Sequence, residues 1–277
     1  MTDQLDRLPG SVRHLRCDNP GPMTLTGTNT YVIALEEASG GDGSLVAVVD
    51  PGPEDAGHRD AIMDAVRGAE ATRVVVLLTH HHDDHEGGAS ALVEALRGRG
   101  LAVALRGGSG GDAFTDGEMI GDLQVLLAPG HTRDSAAFVL QRDGVDVLFS
   151  GDTILGEGSS FVAYPDGDLT AYLSTLDVLM ALVAQAGERV VVLAPGHGPV
   201  GADAAPVVER YRAHRQERLD EVRTVLANVD SENGDSPAQG DELVGPVVDG
   251  AYSDIGPQLR PAVEAVVKAQ LAHLGRL

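Results

Sequence analysis

Four histidines and two aspartates fill the six consecutive positions from His80 to His85. Imidazoles and carboxylates crowded into one small volume repel one another unless a cation takes up their lone pairs. His80 and His82 stand two residues apart and face the same side of an extended chain, whereas Asp84 and His85 follow where the chain should turn into a helix. The stretch therefore predicts a metal site with ligands for two adjacent cations.

Three further polar clusters each follow an apolar run and set one metal-competent side chain beside a glycine. They are Pro129-Gly130-His131, Ser150-Gly151-Asp152 and Pro195-Gly196-His197. Glycine allows a sharp turn and a close approach of the backbone to a site. Together the clusters supply seven candidate ligands: His80, His82, Asp84, His85, His131, Asp152 and His197.

The elements that must position these side chains alternate between apolar runs and helical spacing, which predicts an α/β fold. Strands are predicted at 30–35, 44–49, 74–78, 101–105, 123–127, 136–140, 145–149 and 190–193, and helices at 56–67, 89–97, 169–184, 207–226, 241–248 and 257–274. A Gly-rich turn at 39–43 predicts that the first two strands form a hairpin. The helix that begins at 207 is predicted to be interrupted after Asn228, where a polar linker at 230–237 follows. Reactive residue types lie at strand ends, where open sheets carry their sites.

Composition narrows the class of protein. With 277 residues and 43% hydrophobic content, the chain can bury a large core. The net charge of −22, from 42 acidic and 20 basic residues, repels polyanions and argues against non-specific nucleic-acid binding. One cysteine, Cys17, excludes a disulfide framework. The N-terminus lacks a signal pattern and no run approaches membrane-spanning length, which predicts a cytoplasmic protein without a membrane partner.

The order of the seven ligands, His80-x-His82-x-Asp84-His85 followed by His131, Asp152 and His197, resembles the metallo-β-lactamase fold family. The resemblance implies an αββα sandwich with a dinuclear site at one edge, usually filled by two Zn²⁺, although Mn²⁺ or Fe also suit such ligands. It assigns His80, His82 and His131 to the first metal, Asp84, His85 and His197 to the second, and Asp152 to a bridge between them. Paired cations lower the pKa of a shared water, so that hydroxide forms near neutral pH.

Other motifs resemble the subgroup of this family that contains beta-lactamase-like protein 2 and is related to glyoxalase II. They include Gly27-Thr28-Asn29-Thr30-Tyr31, Asp50-Pro51-Gly52 and Tyr211-x-x-His214-Arg215-x-x-Arg218. This resemblance implies a catalytic domain at 1–206 and a helical, winged-helix-like domain at 207–277. Because Leu277 follows the last predicted helix directly, we expect the wing of that domain to be short or absent.

The leading functional hypothesis is a hydrolase that uses a metal-bridging hydroxide on a small ester, thioester or lactone, with Asp84 and Asp152 in catalytic roles. Asp152 stands where the antibiotic-degrading branch commonly has cysteine, which disfavours β-lactam hydrolysis. The resemblance also implies a second hypothesis, an endoribonuclease or phosphodiesterase acting on single-stranded RNA. A third is a non-catalytic, metal-bearing regulatory or interaction protein. The oligomeric state stays open.

Residues around the cluster have less specific signals. His81 and Asp83 occupy alternate positions and should point away from the metals. Asp50 either orients a ligand imidazole or forms an ordinary turn before Pro-Gly. Asp134 either hydrogen-bonds the loop that carries His131 or caps a turn.

Two further groups of residues allow alternative interpretations. Ser159, Ser160 and Tyr164 lie beyond Asp152 and either line the substrate pocket or belong to a plain connector. The arginines between 210 and 223 share their helix with several acidic residues, which favours a salt-bridged surface over a polyanion site.

Overall fold

The computed structural model describes residues 3–37, 43–142, 144–233, 238–253 and 255–277. Two compact units divide the chain. The first comprises Met1–Ala128, Asp134–Ser159 and Val183–Val207, and the second comprises Pro129–Arg133, Ser160–Leu182 and Val208–Leu277. Positions 39–42 of the predicted turn and 234–237 of the predicted linker lie outside the described residues.

The first unit contains two five-stranded sheets. Their strands are β1 (Val12–Arg16), β2 (Asn29–Leu35), β3 (Leu45–Val49), β4 (Arg73–Leu77), β5 (Ala102–Arg106), β6 (Met119–Ile120), β7 (Leu123–Leu127), β8 (Ala136–Arg142), β9 (Val145–Gly151) and β10 (Val191–Pro195). One sheet has the order β1-β2-β3-β4-β5 and the other β10-β9-β8-β7-β6. The β3–β4, β4–β5 and β9–β10 pairs are parallel, and the other pairs are antiparallel.

Alternation along the strands sorts the apolar side chains into two cores. Tyr31 of the first sheet meets Phe149 of the second with ring centroids 5.1 Å apart, in a core that both sheets share. On the opposite face of the first sheet, Val48 and Val76 pack with helices α1 (Ala56–Gly68) and α3 (Ala89–Gly98). Because both faces are covered, β3 and β4 consist almost entirely of buried apolar residues.

The second unit is helical among its described residues. It holds most of α4 (Leu169–Gln185) and α5 (Ala204–Asn233), together with α6 (Val244–Ala251) and α7 (Arg260–His273). Short 3-10 turns at Asp241–Leu243 and Pro257–Leu259 precede the last two helices. Val222, Val247 and Val267, from α5, α6 and α7, are buried in one core.

The predicted fold class is confirmed, since two sheets combine with helices and the chain has C-terminal helices. The predicted interruption after Asn228 is wrong, because α5 continues to Asn233 and Val229 packs against the helical core. Strands β1 and β6 were not predicted, whereas the helical turn expected at Asp84 and His85 is the one-turn helix α2 (Asp83–Glu86). The domain boundary at 206/207 stays a prediction. In the described ranges, no helix combines the length and apolar character that crossing a membrane requires.

The core shared by the sheets predicts a contrast between two leucines of neighbouring strands. Leu140 in β8 is fully buried, whereas Leu127 in β7 is 42% exposed. Leu140→Ala should lower the free energy of unfolding by about 2–5 kcal/mol, because it removes buried methyl groups and leaves a cavity. Leu127→Ala should change it by no more than about 0.5 kcal/mol. Urea denaturation followed by circular dichroism measures both, and equal losses would contradict this core assignment.

Candidate metal centre

Three loops at the ends of strands carry six of the predicted ligands. His80 and His82 follow β4, and Asp84 and His85 lie in α2. Asp152 follows β9, and His197 follows the adjacent parallel strand β10. Thr79 joins the two sheets at this edge, because its carbonyl accepts a hydrogen bond from the Ala136 amide at 2.7 Å.

The donor atoms of these six side chains converge. Nε2 of His80 lies 3.0 Å from Nδ1 of His82. Nε2 of His85 lies 3.1 Å from Nε2 of His197, which is also 3.1 Å from Oδ2 of Asp84. The ligand atoms of the His80, His85, Asp152 group lie within 4.8 Å of one another, as do those of the Asp84, His85, His197 group.

Asp152 lies between the imidazoles of His85 and His197. Its Oδ1 is 3.4 Å from Nε2 of His85, and its Oδ2 is 3.5 Å from Nε2 of His197. Gly196 makes this approach possible. A Cβ at that position would lie 2.5 Å from Oδ1 of Asp152 and 2.7 Å from Cε1 of His85, so any larger residue would push into the cluster.

Asp50 and Thr79 fix the orientation of two candidate ligand imidazoles. The Asp50 carboxylate accepts hydrogen bonds from the Thr79 amide and hydroxyl, each at 2.7 Å, and from Nδ1 of His85 at 2.8 Å. Because the Thr79 hydroxyl donates its proton to Asp50, it accepts from Nδ1 of His80 at 3.0 Å. Both histidines therefore carry a proton on Nδ1 and direct Nε2 towards the cluster.

The backbone at Asp50 is held in an uncommon conformation. Its φ is +50°, in the left-handed region that side chains other than glycine rarely adopt. The Leu77 carbonyl accepts from its amide at 2.9 Å, and its own carbonyl accepts from the Thr30 hydroxyl at 2.5 Å. His58 contacts the same hydroxyl through Nε2 at 2.7 Å and so helps to hold this backbone. Of the two roles considered for Asp50, the contact with His85 supports the orienting one.

A buried polar run at the start of β2 holds the His197 loop. Asn29 donates from Nδ2 to the carbonyls of Pro195, at 3.0 Å, and Gly198, at 2.9 Å. The Thr28 hydroxyl donates to the Asp84 carbonyl at 2.9 Å. Sequence reasoning gave these residues no role of their own, although three consecutive polar residues leading into an apolar strand were a usable signal.

The carboxylates and imidazoles shift one another's pKa in opposite directions. Burial raises the pKa of Asp152, but the neighbouring His85 and His197 outweigh it and hold that pKa well below the ordinary carboxyl value. Burial lowers the pKa of His85, whereas Asp152 and Asp50 raise it well above the ordinary imidazole value. For Asp84, burial raises the pKa and His197 and His85 bring it below the usual range. The carboxylates of Asp84 and Asp152 are thus ionised. Their negative charge favours a positively charged group or ion between them.

The donor set fits a divalent metal. Two imidazole nitrogens that face each other at 3.1 Å, with carboxylate oxygens beside them, leave more lone pairs than protons in the shared volume. Nitrogen and carboxylate donors of this kind suit Zn²⁺, Mn²⁺ and Fe. The cluster therefore has the composition and the orientation that such an ion requires.

The seventh predicted ligand, His131, belongs to the second unit. Its Nδ1 donates to the Phe161 carbonyl at 2.6 Å, which directs Nε2 away from that carbonyl. Gly130 has a φ of +141°, and a Cβ there would lie 2.3 Å from the Cα of Tyr172 in α4. The Thr175 hydroxyl of the same helix donates to the Pro129 carbonyl at 2.8 Å. Helix α4 thus fixes the segment that carries this histidine.

The remaining predicted residues occupy varied surroundings. Nδ1 of His81 lies 2.8 Å from Oδ1 of Asp134, and both side chains are partly exposed. Asp83 is exposed. Of the predicted pocket residues, Ser159 is half-buried, Ser160 is buried with its hydroxyl 3.3 Å from Nδ1 of His131, and Tyr164 is 44% exposed.

The sequence around this cluster also matches a known protein superfamily. Residues 23–115, which include Asp50 and the stretch from His80 to His85, match the metallo-beta-lactamase superfamily. The resemblance predicted from the order of the ligands is therefore confirmed, as is the prediction of a metal-dependent hydrolase at the level of the superfamily.

Individual proteins with this domain are similar over most of the chain. A beta-lactamase-like protein 2 homolog from Caenorhabditis elegans is 29% identical over 81% of this chain and 74% of its own length. An atrochrysone carboxyl ACP thioesterase from Aspergillus fumigatus is also 29% identical, over 83% of this chain and 69% of its own. The structure of a beta-lactamase domain protein from Burkholderia ambifaria superimposes with a TM-score of 0.69 at 21% identity, covering 97% of this chain and 88% of that one.

The hydrogen bond from His85 to Asp50 generates a prediction about zinc affinity. Asp50→Asn should weaken zinc binding by about 10- to 100-fold, because the amide is uncharged and orients the imidazole less firmly. Competition with a chromophoric chelator measures the affinity. Asp55→Asn is the matched control, since Asp55 caps α1 through the His58 amide and asparagine caps a helix equally well. Equal zinc affinity in both folded variants would show that Asp50 does not orient a ligand.

Proposed function

We propose that this chain is a dinuclear zinc hydrolase that cleaves a small thioester, with esters and lactones as related substrates of the same chemistry. The observation that carries the proposal is the convergence of six imidazole and carboxylate side chains at the ends of β4, β9 and β10. Mn²⁺ and Fe are the alternative metals, because the same ligands suit them.

The seven residues predicted from the sequence are the proposed metal ligands: His80, His82 and His131 for one ion, Asp84, His85 and His197 for the other, and Asp152 for both. Bound divalent metals lower the pKa of a coordinated water towards neutrality and polarise the carbonyl oxygen under attack. With such ions bound, hydrolysis of a thioester would need no serine or cysteine nucleophile.

The residues of the chain contribute orientation and proton handling. Asp50 and Thr79 hold His85 and His80 in the tautomer that presents Nε2. Asp84 is the more open of the two catalytic carboxylates, with 28% of its side chain exposed against 11% for Asp152. We assign to Asp84 the exchange of protons with solvent and with the departing thiol, and to Asp152 the neutralisation of cationic charge within the cluster.

Two observations favour a thioester as the substrate. Relatives named as thioesterases align with 83% and 92% of this chain at 29% and 28% identity. The net charge of −22 disfavours a long polyanion such as RNA, because like charges repel at long range. A small acyl thioester meets far less of this repulsion.

The proposal predicts turnover by the zinc-loaded chain in a panel of acyl thioesters, followed by release of the free thiol with a colorimetric reagent. Asp84→Ala should lower kcat/KM by more than about 100-fold, because it removes a ligand rather than an outer partner. The neighbouring Asp83→Ala should retain activity, since Asp83 is exposed. A chelator should abolish turnover, and added zinc should restore it.

Two outcomes of the same experiment would contradict the proposal. Cleavage of single-stranded RNA, absent from Asp84→Ala and unaccompanied by thioester turnover, would identify a phosphodiesterase. Stoichiometric zinc binding without turnover of thioesters, esters, lactones or RNA would indicate a non-catalytic metal-bearing protein.

A further inference from the structure

Arg215 departs from the predicted salt-bridged surface of α5. Its neighbours on the helix behave as predicted, since Arg212 pairs with Asp177 at 2.8 Å and Arg223 with Asp220 at 2.7 Å. Arg215 is 7% exposed, and among the described residues it forms no ion pair. The surface prediction is wrong at this position, because the position of a residue on a helix does not reveal what packs over it.

The guanidinium of Arg215 has two neighbours of a different kind. Its central carbon lies 5.0 Å from the centroid of the Tyr172 ring in α4, within cation–π range. One terminal nitrogen, Nη2, donates to the carbonyl of Ser160. Arg215 therefore connects α5 to α4 and to the segment that starts at Ser160.

The segment that accepts the hydrogen bond from Arg215 also orients His131. The Ser160 hydroxyl lies 3.3 Å from Nδ1 of His131, and the carbonyl of the next residue, Phe161, accepts from the same nitrogen at 2.6 Å. Tyr172, whose ring lies beside the guanidinium, is packed against Gly130, which precedes His131. Arg215 thus contacts both of the elements that fix this imidazole.

Burial of a charge in this way is costly, which makes a purely structural role a poor explanation. A buried guanidinium without a carboxylate loses its hydration, and an apolar side chain of similar volume would fill the same space without that loss. Orienting groups around a metal ligand commonly justify such a cost, because a ligand that is free to rotate binds the ion less tightly.

We propose that Arg215 is a positioning residue for the metal ligand His131, acting through the Ser160 carbonyl and the Tyr172 ring. The inference rests on the proposed function, in which His131 is a metal ligand. Arg215 touches neither the substrate nor the metals. It holds the Ser160–Phe161 backbone in the place from which the Phe161 carbonyl selects the tautomer of His131.

Arg215→Met is the principal test, because it removes the buried charge and keeps most of the volume, so the variant is expected to fold. We expect circular dichroism like that of the parent chain and a zinc affinity of one of the two ions about 10-fold weaker or more. Arg215→Lys keeps a charged donor and should recover part of that loss. The matched control is Arg212→Met, from the preceding turn, which should bind both ions as the parent does.

A double-mutant cycle separates positioning from general stability. If Arg215 acts through His131, adding Arg215→Met to His131→Ala should cause no further loss of zinc affinity. Additive losses would overturn the proposal, because they would place the effect of Arg215 elsewhere. Unchanged affinity in folded Arg215→Met would overturn it as well.

The His131→Ala variant alone also tests the proposed metal centre separately from the positioning role of Arg215. If it binds both zinc ions as tightly as the parent, His131 is not a ligand and the proposed metal centre fails. If it loses one ion while Arg215→Met loses none, only the positioning role of Arg215 fails. Should Arg215→Met not fold, the comparison of Arg215→Lys with Arg212→Lys gives the same decision from zinc affinity.

Discussion

The candidate site depends on one buried carboxylate, that of Asp50. It is 1% exposed and accepts three hydrogen bonds, two from Thr79 and one from His85. A buried anion is tolerated only when its lone pairs are satisfied, so these donors must stay in place. Thr79 directly precedes the stretch from His80 to His85, and His85 ends it within α2. The Asp50 carboxylate therefore holds this stretch at both of its ends. The backbone at Asp50 is left-handed, with a φ of +50°.

The candidate ligands stand out in the sequence because their signal is local. Four of the seven stand within six residues, and the other three each follow a strand beside glycine. The structure brings six of them together in one unit, because β9 and β10 are adjacent and parallel and Thr79 links their sheet to β4. The fold class was predictable for a related reason, since buried strands form apolar runs whose lengths are short enough to distinguish them from helices.

Roles that depend on contacts between distant residues were less predictable. Asp50 is 35 residues from His85, and an aspartate before Pro-Gly also reads as a turn former. Arg215 is 55 residues from Ser160. The charge pattern of its own helix therefore could not indicate that this arginine is buried. β1 was missed because Arg13, His14 and Arg16 interrupt its apolar residues, as an edge strand of a sheet permits.

The C-terminal helices belong to the same compact unit as His131, one of the proposed metal ligands. The short segment Pro129–Arg133, the connection after Ser160 and most of α5 form one compact unit. Within it, α4 packs against Gly130 and α5 supplies the buried arginine. A helical region that the sequence suggested as an appendage is thus tied to the segment that carries a proposed metal ligand.

The number of zinc ions bound per chain tests the proposed dinuclear metal centre most directly. The full chain would be dialysed against a zinc buffer, with zinc measured by inductively coupled plasma mass spectrometry and protein by amino-acid analysis. We expect two ions per chain, and one or none after removal of the His85 imidazole by His85→Ala. Less than one ion in the parent chain, or an unchanged two in a folded His85→Ala variant, would contradict the proposed centre.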